Sequence, residues 1–581
     1  ISPLYLASAL VGSSFIWYNA VQGIREMDFT ADIPVSLATI AAIAIGQYAA
    51  AAVVAVLLLI GGMLEEFVAA HADRALDALS RLLPDQVMVR RDGKDLMVPL
   101  DELVIGDSLL IRSGERIAAD GEIISGTASV NQSSITGESI PVEKNPGDGV
   151  FAGTLNELGV LVIRATRVGS ETTLGQIRRL VAEAHEQKAP VERVLDRYAK
   201  IYTPVAIVLG IGLWYWSGDI LRAITMLIVF CPCVMVLATP TALVAAIGNA
   251  ALSGSLVKKG ATIEALANID TIVFDKTGTL TTGVLQLVQV VPFESFSETD
   301  LVGAAASAEK FSEHPAGRAI VRGATLRNIR AMDPASCEVV PGLGVKARVA
   351  GKEVLVGRHK MVASRGTDIP AQIGDRIETY TTQGCSVVIV MIDGRAAGLL
   401  VLEDTLRDDA LEMISRVRQA GIRTIIVSGD NAGATGSVAR KTGILDIHCD
   451  MMPDEKVAIV KDLQTKGHKV AFVGDGVNDG PALATADVGI AMGVAGTDVA
   501  IETASIALLS DDLSRLPHLL QVSKRTMSTI RQNVVFAVGV LLIAVCLTIP
   551  GILTPVTGAL LHELSSIPVI ANSVRLIGIN G

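Results

Sequence analysis

The stretch "TIVFDKTGTLT", Thr271–Thr281, decides how this chain is built. Its first residues are a short apolar run, and the run stops on an acid, Asp275. "TIIVSGD" (Thr424–Asp430) and "KVAFVGD" (Lys469–Asp475) share the design, and helical stretches such as 410–420 lie between them. Apolar runs without alternation, separated by helices, predict a parallel sheet covered on both faces. In open α/β sheets ligands bind beyond the carboxyl ends of the strands. A carboxylate there can attack a phosphoryl group and carry it as an aspartyl phosphate. Asp475 and Asp479, in "VGDGVNDGPAL", follow another such strand. Paired carboxylates suit Mg²⁺, a hard cation that takes oxygen ligands and bridges phosphates. Lys456, in "PDEK", can neutralise charge on a transferring group. One Asp after a strand is ordinary turn chemistry; three such acids and a lysine in this order are a specific signal.

The 581 residues around this stretch are too many for one core. Half are hydrophobic, only 19% are charged, and mean hydropathy is +0.49, which predicts a membrane protein carrying soluble domains. A net charge of −11 and a pI near 5.4 argue against a nucleic-acid partner, which needs a basic face. The cysteines are scattered apart from Cys231 and Cys233, so free thiols in a reducing cytosol are expected. The first residue is Ile1 rather than Met, so the chain is expected to start inside a longer protein, with any targeting signal out of view.

Apolar stretches of spanning length occupy 3–21, 33–46, 49–67, 201–216, 220–246, 534–550 and 552–570. The short connections at 46–48, 217–219 and 550–555 carry no Lys or Arg, whereas the opposite ends carry Arg74, Arg81, Lys258, Lys259, Lys524, Arg525 and Arg531. The positive-inside tendency therefore puts both long polar stretches, 76–200 and 253–529, in the cytoplasm. Trp214, Tyr215 and Trp216 fit an aromatic belt at the outer face. The first polar stretch alternates like strands, in "QVMVRRDGKDLMVPL", "DSLLIRSGERIAADGEII" and "GVLVIRATRV". The second reads as α/β.

Two places in the apolar sequence carry chemistry. "IVFCPCVMVLATP", Ile228–Pro240, puts a helix breaker, Pro232, between Cys231 and Cys233. Proline frees a carbonyl one turn back, and irregular backbone inside a membrane is tolerated where it lines a site. Thiolates at such a kink bind soft and borderline metals. The last apolar stretch places His562 and Glu563 where ionisable groups are costly, so function is the default reading; Ser566 lies one helical turn from both.

"DKTGT", "TGES" (Thr136–Ser139), "GDGVND" and "CPC" together resemble the heavy-metal class of P-type ATPases, and the resemblance covers almost the whole chain. It implies a helical transmembrane bundle, a mostly-β actuator domain, an α/β haloacid-dehalogenase-like phosphorylation domain and an inserted α+β nucleotide-binding domain. The implied division is 1–83 membrane, 84–185 actuator, 186–262 membrane, 263–283 and 401–520 phosphorylation, 284–400 nucleotide binding and 521–581 membrane. Asp275, followed by Lys276, is the residue implied to take phosphate. Thr277 stands where simple phosphatases carry a second Asp, so the aspartyl phosphate is expected to persist until a carboxylate from "TGES" directs water at it. That carboxylate is Glu138, beside Thr136 and Gly137. Asp275, Thr277, Asp475 and Asp479 are the implied Mg²⁺ ligands.

"AEKFSEHPAG" and "VPGLGV" resemble this class around adenine, through Glu309, His314 with Pro315, Gly342 and Gly344. Asp404 and Arg407 resemble the pair that seats phosphate and sugar. No Walker A pattern occurs, so ATP is not held by a P-loop. Arg358 stands where the family often has Asn. A Cys-x-x-Cys domain ahead of the first span is absent from the chain. The family has eight spans against seven here, which implies that its first is missing, and its double glycine is not evident near Gly23.

The membrane residues are mixed. The copper type carries Met with paired Ser in the last span, and Tyr and Asn in the span before; the zinc and lead type carries Asp in the last span. The His-Glu-x-x-Ser pattern resembles the cobalt subgroup, which usually has Ser-Pro-Cys. Cys231, Cys233, His562, Glu563 and Ser566 are thus expected to bind a divalent ion such as Zn²⁺, Cd²⁺, Co²⁺ or Ni²⁺, with Mn²⁺ or Cu⁺ as alternatives. The expected protein is a monomeric exporter in a bacterial plasma membrane, using ATP and Mg²⁺. Its ion arrives free or on a thiol carrier or chaperone. The alternative from another class is a membrane-tethered phosphatase with a thiol redox or metal sensor, against which Thr277 and the strand-rich "TGES" domain both argue.

Overall fold

The computed structural model describes residues 2–25, 32–60, 62–63, 83–91, 94–132, 141–175, 190–231, 233–293, 296–312, 314–340, 344–357, 371–475, 479–493, 503–510 and 512–579. The chain forms two compact units. One comprises Ile1–Asn268, Ser505–Ser510 and Arg515–Gly581; the other comprises Ile269–Ala504 and Asp511–Ser514.

The first unit holds the apolar helices α1 (Ser2–Arg25), α2 (Asp32–Ala44), α3 (Tyr48–Ile60), α4 (Pro190–Ser217), α5 (Ile220–Val229), α6 (Cys233–Leu252), α7 (Arg515–Thr548) and α8 (Pro555–Val574). By length and composition, 3–25, 220–252 and 515–548 suffice to cross a membrane, while α2, α3 and the apolar part of α4 are shorter. The expected span at 49–67 is described only in part. The expected span at 220–246 is broken into α5 and α6 at Cys-Pro-Cys, because a proline at 232 has no N–H for the carbonyl of Ile228. α7, with 34 residues, runs about 50 Å, longer than the ~30 Å hydrocarbon core, so it extends beyond the bilayer. α8 starts at Pro555 because the Thr554 hydroxyl accepts from the Thr557 N–H at 3.3 Å, an N-cap followed by proline at the first helical position.

Small residues hold these helices together. Ala9, Ala38, Ala42, Ala51, Ala52, Ala206 and Ala559 are buried with Ile224 and Ile228. Lipid offers no hydrophobic drive between helices, so close backbone approach must supply dispersion instead. Gly558 is the tightest case: a Cβ there would come within 2.8 Å of Val229 Cγ2.

The first unit also carries an antiparallel sheet of β1 (Gln86–Arg91), β2 (Lys94–Pro99), β3 (Ser108–Ile111), β4 (Asp120–Asn131), β5 (Val142–Lys144), β6 (Gly149–Val150) and β7 (Leu155–Arg167), in the order β2-β1-β3-β7-β4-β5 with β6 beside β4. Alternation buries Val87, Val89, Leu109, Ile111, Leu161 and Ile163 on one face. Thr136, Gly137 and Glu138 lie between β4 and β5, outside the described residues. A short ribbon, β8 (Ser255–Val257) with β20 (Ile506–Leu508), completes the unit.

The second unit has two sheets. The parallel one runs β17 (Asp446–His448), β16 (Arg423–Val427), β9 (Thr271–Asp275), β18 (Val470–Gly474) and β19 (Val488–Ala491). β9, β18 and β19 are buried at every residue, the signature of strands covered on both faces. The other is antiparallel, β10 (Thr281–Pro292), β15 (Arg395–Leu406), β14 (Ser386–Ile392), β13 (Lys352–Gly357), β12 (Gly344–Val349) and β11 (Ser336–Val340), with helices Glu298–Ala308 and Pro315–Leu326 against it. Its pair β10 and β15 leaves and returns next to β9, so this sheet is an insertion into the parallel domain.

Gly558→Ala is expected to destabilise the protein in detergent by about 1–3 kcal/mol, since the added methyl meets α5. Gly212→Ala, where nothing lies within 4 Å, should be neutral or slightly stabilising. Thermal unfolding of both checks this, and equal effects would contradict the packing.

Candidate active site and membrane cavity

Asp275 ends the central strand, in register with Val427 of β16, and the acids after β16 and β18 come to the same edge. Lys456 projects from the first turn of helix Pro453–Thr465. That turn is set by Glu455, whose carboxylate accepts the Met452 N–H at 2.8 Å. Lys456 Nζ donates to Asp275 Oδ1 at 2.6 Å and to Asp479 Oδ1 at 2.7 Å. All three side chains are buried. Burial, then the Asp479 carboxylate, push Asp275 up to about 7 against the pull of Lys456. Burial also raises Asp479. Burial works against the charge on Lys456 too, yet Asp275 and Asp479 together hold it above its ordinary value.

A second ion pair shapes the loop after the strand. Lys276 bonds Asp430, the acid that follows β16, and Thr277 Oγ1 donates to the same carboxylate at 3.1 Å. Burial works to raise Asp430, but Lys276, helped by Thr277 and Ser428, holds it below the usual carboxylate range. Thr281 Oγ1 donates to Asp404 Oδ2 at 2.6 Å, and burial raises Asp404. Arg407 donates to the carbonyls of Thr279 at 2.9 Å and Gly278 at 3.0 Å. Asp404 and Arg407, expected to seat phosphate and sugar, thus contact the Asp275 loop itself. The sequence reading noted the strand ending at Asp430 but gave that acid no role.

In the inserted domain, Glu309 follows helix Glu298–Ala308 and is buried, with Oε2 lacking a partner. Burial raises its carboxyl, with Ser312 and His314 opposing. His314 caps the next helix, its Nδ1 accepting the Ala316 N–H at 3.2 Å, which puts the ring proton of the neutral form on Nε2. Gly317 leaves room for this cluster: a Cβ there would lie 2.4 Å from Glu309 Oε2. Gly344 begins β12, while Gly342 and Arg358 are outside the described residues. Gly317 went unremarked in the sequence, although it closes the "HPAG" stretch.

The membrane unit has a cavity of about 30 Å³, room for one ion, between α4, α5, α6, α7 and α8. Its polar lining includes Tyr202, Cys231, Met235, His562 and Ser565. Glu563 and Ser566, also expected as ligands, are not on this lining. Neighbouring residues on a helix are turned by about 100°, so Glu563 leaves the face that His562 and Ser565 share. The Ser566 hydroxyl donates to Glu563 O at 2.7 Å. Among the described residues no three His, Cys, Asp or Glu side chains close on one point. The Cys233 side chain is outside the described residues. Cys231 is held in a disulfide rather than as the expected thiol, while Cys337, Cys385, Cys449 and Cys546 are free. Only a thiolate binds metal, so Cys231 must be reduced first.

Residues 81–182 match the P-type ATPase actuator domain, and 269–487 match haloacid dehalogenase-like hydrolases. The copper-exporting P-type ATPase of Bacillus subtilis (strain 168) is 37% identical over 596 residues, covering 98% of this chain and 74% of the relative. A cadmium-transporting ATPase of Staphylococcus aureus is 36% identical over 590 residues, covering 99% of this chain and 81% of the relative. A crystal structure of a zinc-transporting PIB-type ATPase in the E2·Pi state superposes with a TM-score of 0.69 at 33% identity, over 99% of this chain and 95% of that one. The chain belongs to the heavy-metal PIB class of P-type ATPases.

As a P-type ATPase it couples ATP hydrolysis, with Mg²⁺, to metal transport, and its catalytic domains are cytoplasmic. The edge of the parallel sheet fits Mg²⁺. Asp275 and Asp479 share one ammonium, and both carboxyls are raised, so the site is short of positive charge. Mg²⁺ needs only one or two protein carboxylates, with phosphate oxygens completing its shell.

A carboxyl whose folded pKa exceeds its unfolded value, near ~3.9, loses stability as pH rises between the two. In chelated protein, Asp275→Asn should therefore raise the melting temperature above about pH 7, with the gain gone below about pH 4. Lys456→Met should lower stability by about 3 kcal/mol or more, because it strands two buried carboxylates. Melting curves across pH check both, and an Asn variant less stable than the parent at high pH contradicts the electrostatic account.

Proposed function

We propose that this ATPase exports a divalent borderline ion, of the Zn²⁺, Cd²⁺, Co²⁺ or Ni²⁺ type, through a phosphorylated Asp275. The observation that carries the reading is the ion-sized cavity in which Cys231 and His562 meet. Sulfur and imidazole together suit borderline divalent ions. Met235 adds a soft thioether to the same lining, which favours Cd²⁺ within this group. A relative named for cadmium and a solved structure titled as a zinc transporter accord with such a site.

In this reading Glu309, His314, Gly342 and Gly344 hold the nucleotide. Asp275 attacks the γ-phosphorus, the bond from phosphorus to the ADP oxygen breaks, and the phosphoryl group stays on the aspartate. Lys456 leaves Asp275 poised as the anion and meets the charge gathering on the phosphoryl oxygens. Asp275, Asp475, Asp479 and Thr277 would hold Mg²⁺, which would supply further positive charge there. Lys276 and Arg407 fix the loop, through Asp430 and the carbonyls of Gly278 and Thr279. With Thr277 where simple phosphatases carry a second acid, the phosphoenzyme waits for Glu138. Glu563 and Ser566 act from off the cavity in the described conformation.

In reduced, chelated protein, ATPase activity measured metal by metal should rise most with Cd²⁺ and Zn²⁺. His562→Ala should reduce that stimulation by about tenfold or more, and Glu563→Gln should cost less. Glu138→Gln should keep phosphorylation while slowing its decay by about a hundredfold. Best stimulation by Cu⁺ with a tolerant His562, or unchanged decay in Glu138→Gln, would contradict the reading.

A further inference from the structure

Among the described residues that line the membrane cavity, Tyr202 is the only aromatic and the only one from α4. Its ring centroid lies 4.5 Å from that of Phe230, with the planes tilted by 31°. At that separation two rings attract beyond the area they bury. Phe230 is where α5 stops. Its N–H makes a helix bond, to Met226 O at 2.9 Å, and its ψ of 27° turns the chain out of the helix. The next residue is Cys231, whose side chain lines the same cavity.

The packing of α4 leads to this contact. Ala206 and Gly210 follow Tyr202 at successive turns and so share its face. Ala206 is buried, and a Cβ on Gly210 would lie 3.3 Å from the Leu227 side chain of α5. Small residues thus bring α4 against α5, and Tyr202 is the large residue of that face, meeting α5 at its end. The backbone offers less support there than inside a helix, because Pro232 has no N–H for the Ile228 carbonyl. A metal ligand must be held to within about 0.5 Å by the packing around it. The Tyr202 ring grips the residue that immediately precedes the thiol.

We propose that Tyr202 is a positioning residue for the transported ion: its ring, stacked on Phe230, sets the place of the Cys231 sulfur at the cavity wall. Tyr202 acts through Phe230 and is not itself a ligand. The proposal rests on the cavity being the ion's site.

The test uses the full chain, reduced and in chelating buffer, with ATPase activity followed against free Cd²⁺. Tyr202→Leu, which removes the ring and keeps apolar bulk, should raise KM for Cd²⁺ about three- to tenfold, the worth of one aromatic pair, while kcat holds. The ultraviolet charge-transfer band of Cd²⁺ on thiolate should need correspondingly more Cd²⁺ to develop. Tyr202→Phe should restore the parental KM. Adding Phe230→Leu to Tyr202→Leu should cost nothing further, because the two rings form one contact. A purely structural ring would lower the melting temperature and shift neither metal titration. If Tyr202→Leu does not fold, Phe230→Leu should show the same rise in KM and the same shift of the band. A parental KM in both leucine variants, beside a parent whose stimulation needs Cys231 and His562, overturns the positioning role alone. So does a Tyr202→Phe variant as impaired as Tyr202→Leu, which would make the hydroxyl a ligand. A parent whose stimulation survives Cys231→Ser and His562→Ala overturns the cavity reading, and the positioning role falls with it.

Discussion

One buried ammonium holds the catalytic edge together. Lys456 Nζ bonds Asp275 and Asp479, joining residues 181 and 23 positions away in the chain. Each carboxylate alone would be forced toward its neutral form by burial, and so would the lysine. Held within hydrogen-bond distance, they keep a charged Asp275 within reach at neutral pH. The loop depends on a parallel arrangement, with Lys276 pairing to Asp430 and Arg407 gripping two carbonyls. The strands supply the geometry: a parallel sheet brings the ends of β9, β16 and β18 to one edge, and each end carries an acid.

The membrane unit solves the opposite problem. Its helices meet through alanine and glycine, so bulk is scarce, and where the helix breaks between α5 and α6 a small, mostly apolar space with a few polar groups remains. Cys231, Met235 and His562 give that space two sulfurs and an imidazole. Its volume, about 30 Å³, is enough for one ion or a water molecule.

Much of this was legible in the residues. Apolar runs ending in acids are rare enough to identify the parallel sheet and Asp275, and the helix break at Cys-Pro-Cys follows from a missing N–H. The last helix was harder. His562, Glu563 and Ser566 all look close on a helical wheel, and only packing decides that Ser565 rather than Glu563 or Ser566 faces the cavity. Met235 and Tyr202 carry no signal of their own, because a methionine or tyrosine in apolar sequence reads as core. The resemblance ties Asp404 and Arg407 to the nucleotide, and their contacts to the loop beneath Asp275 appear only once the chain is folded. Gly317 needs the position of Glu309 before its lack of a side chain means anything.

The most direct test of the account is whether metal in the cavity governs phosphate on Asp275. Reduced protein in excess chelator is given labelled ATP and Mg²⁺, then titrated with free Zn²⁺ or Cd²⁺, and the acid-stable label is mapped by proteolysis. The account predicts labelling on the peptide containing Asp275 that appears with metal and is lost in a Cys231→Ser, His562→Ala double variant. Equal labelling with and without metal, or a label on another residue, would contradict it.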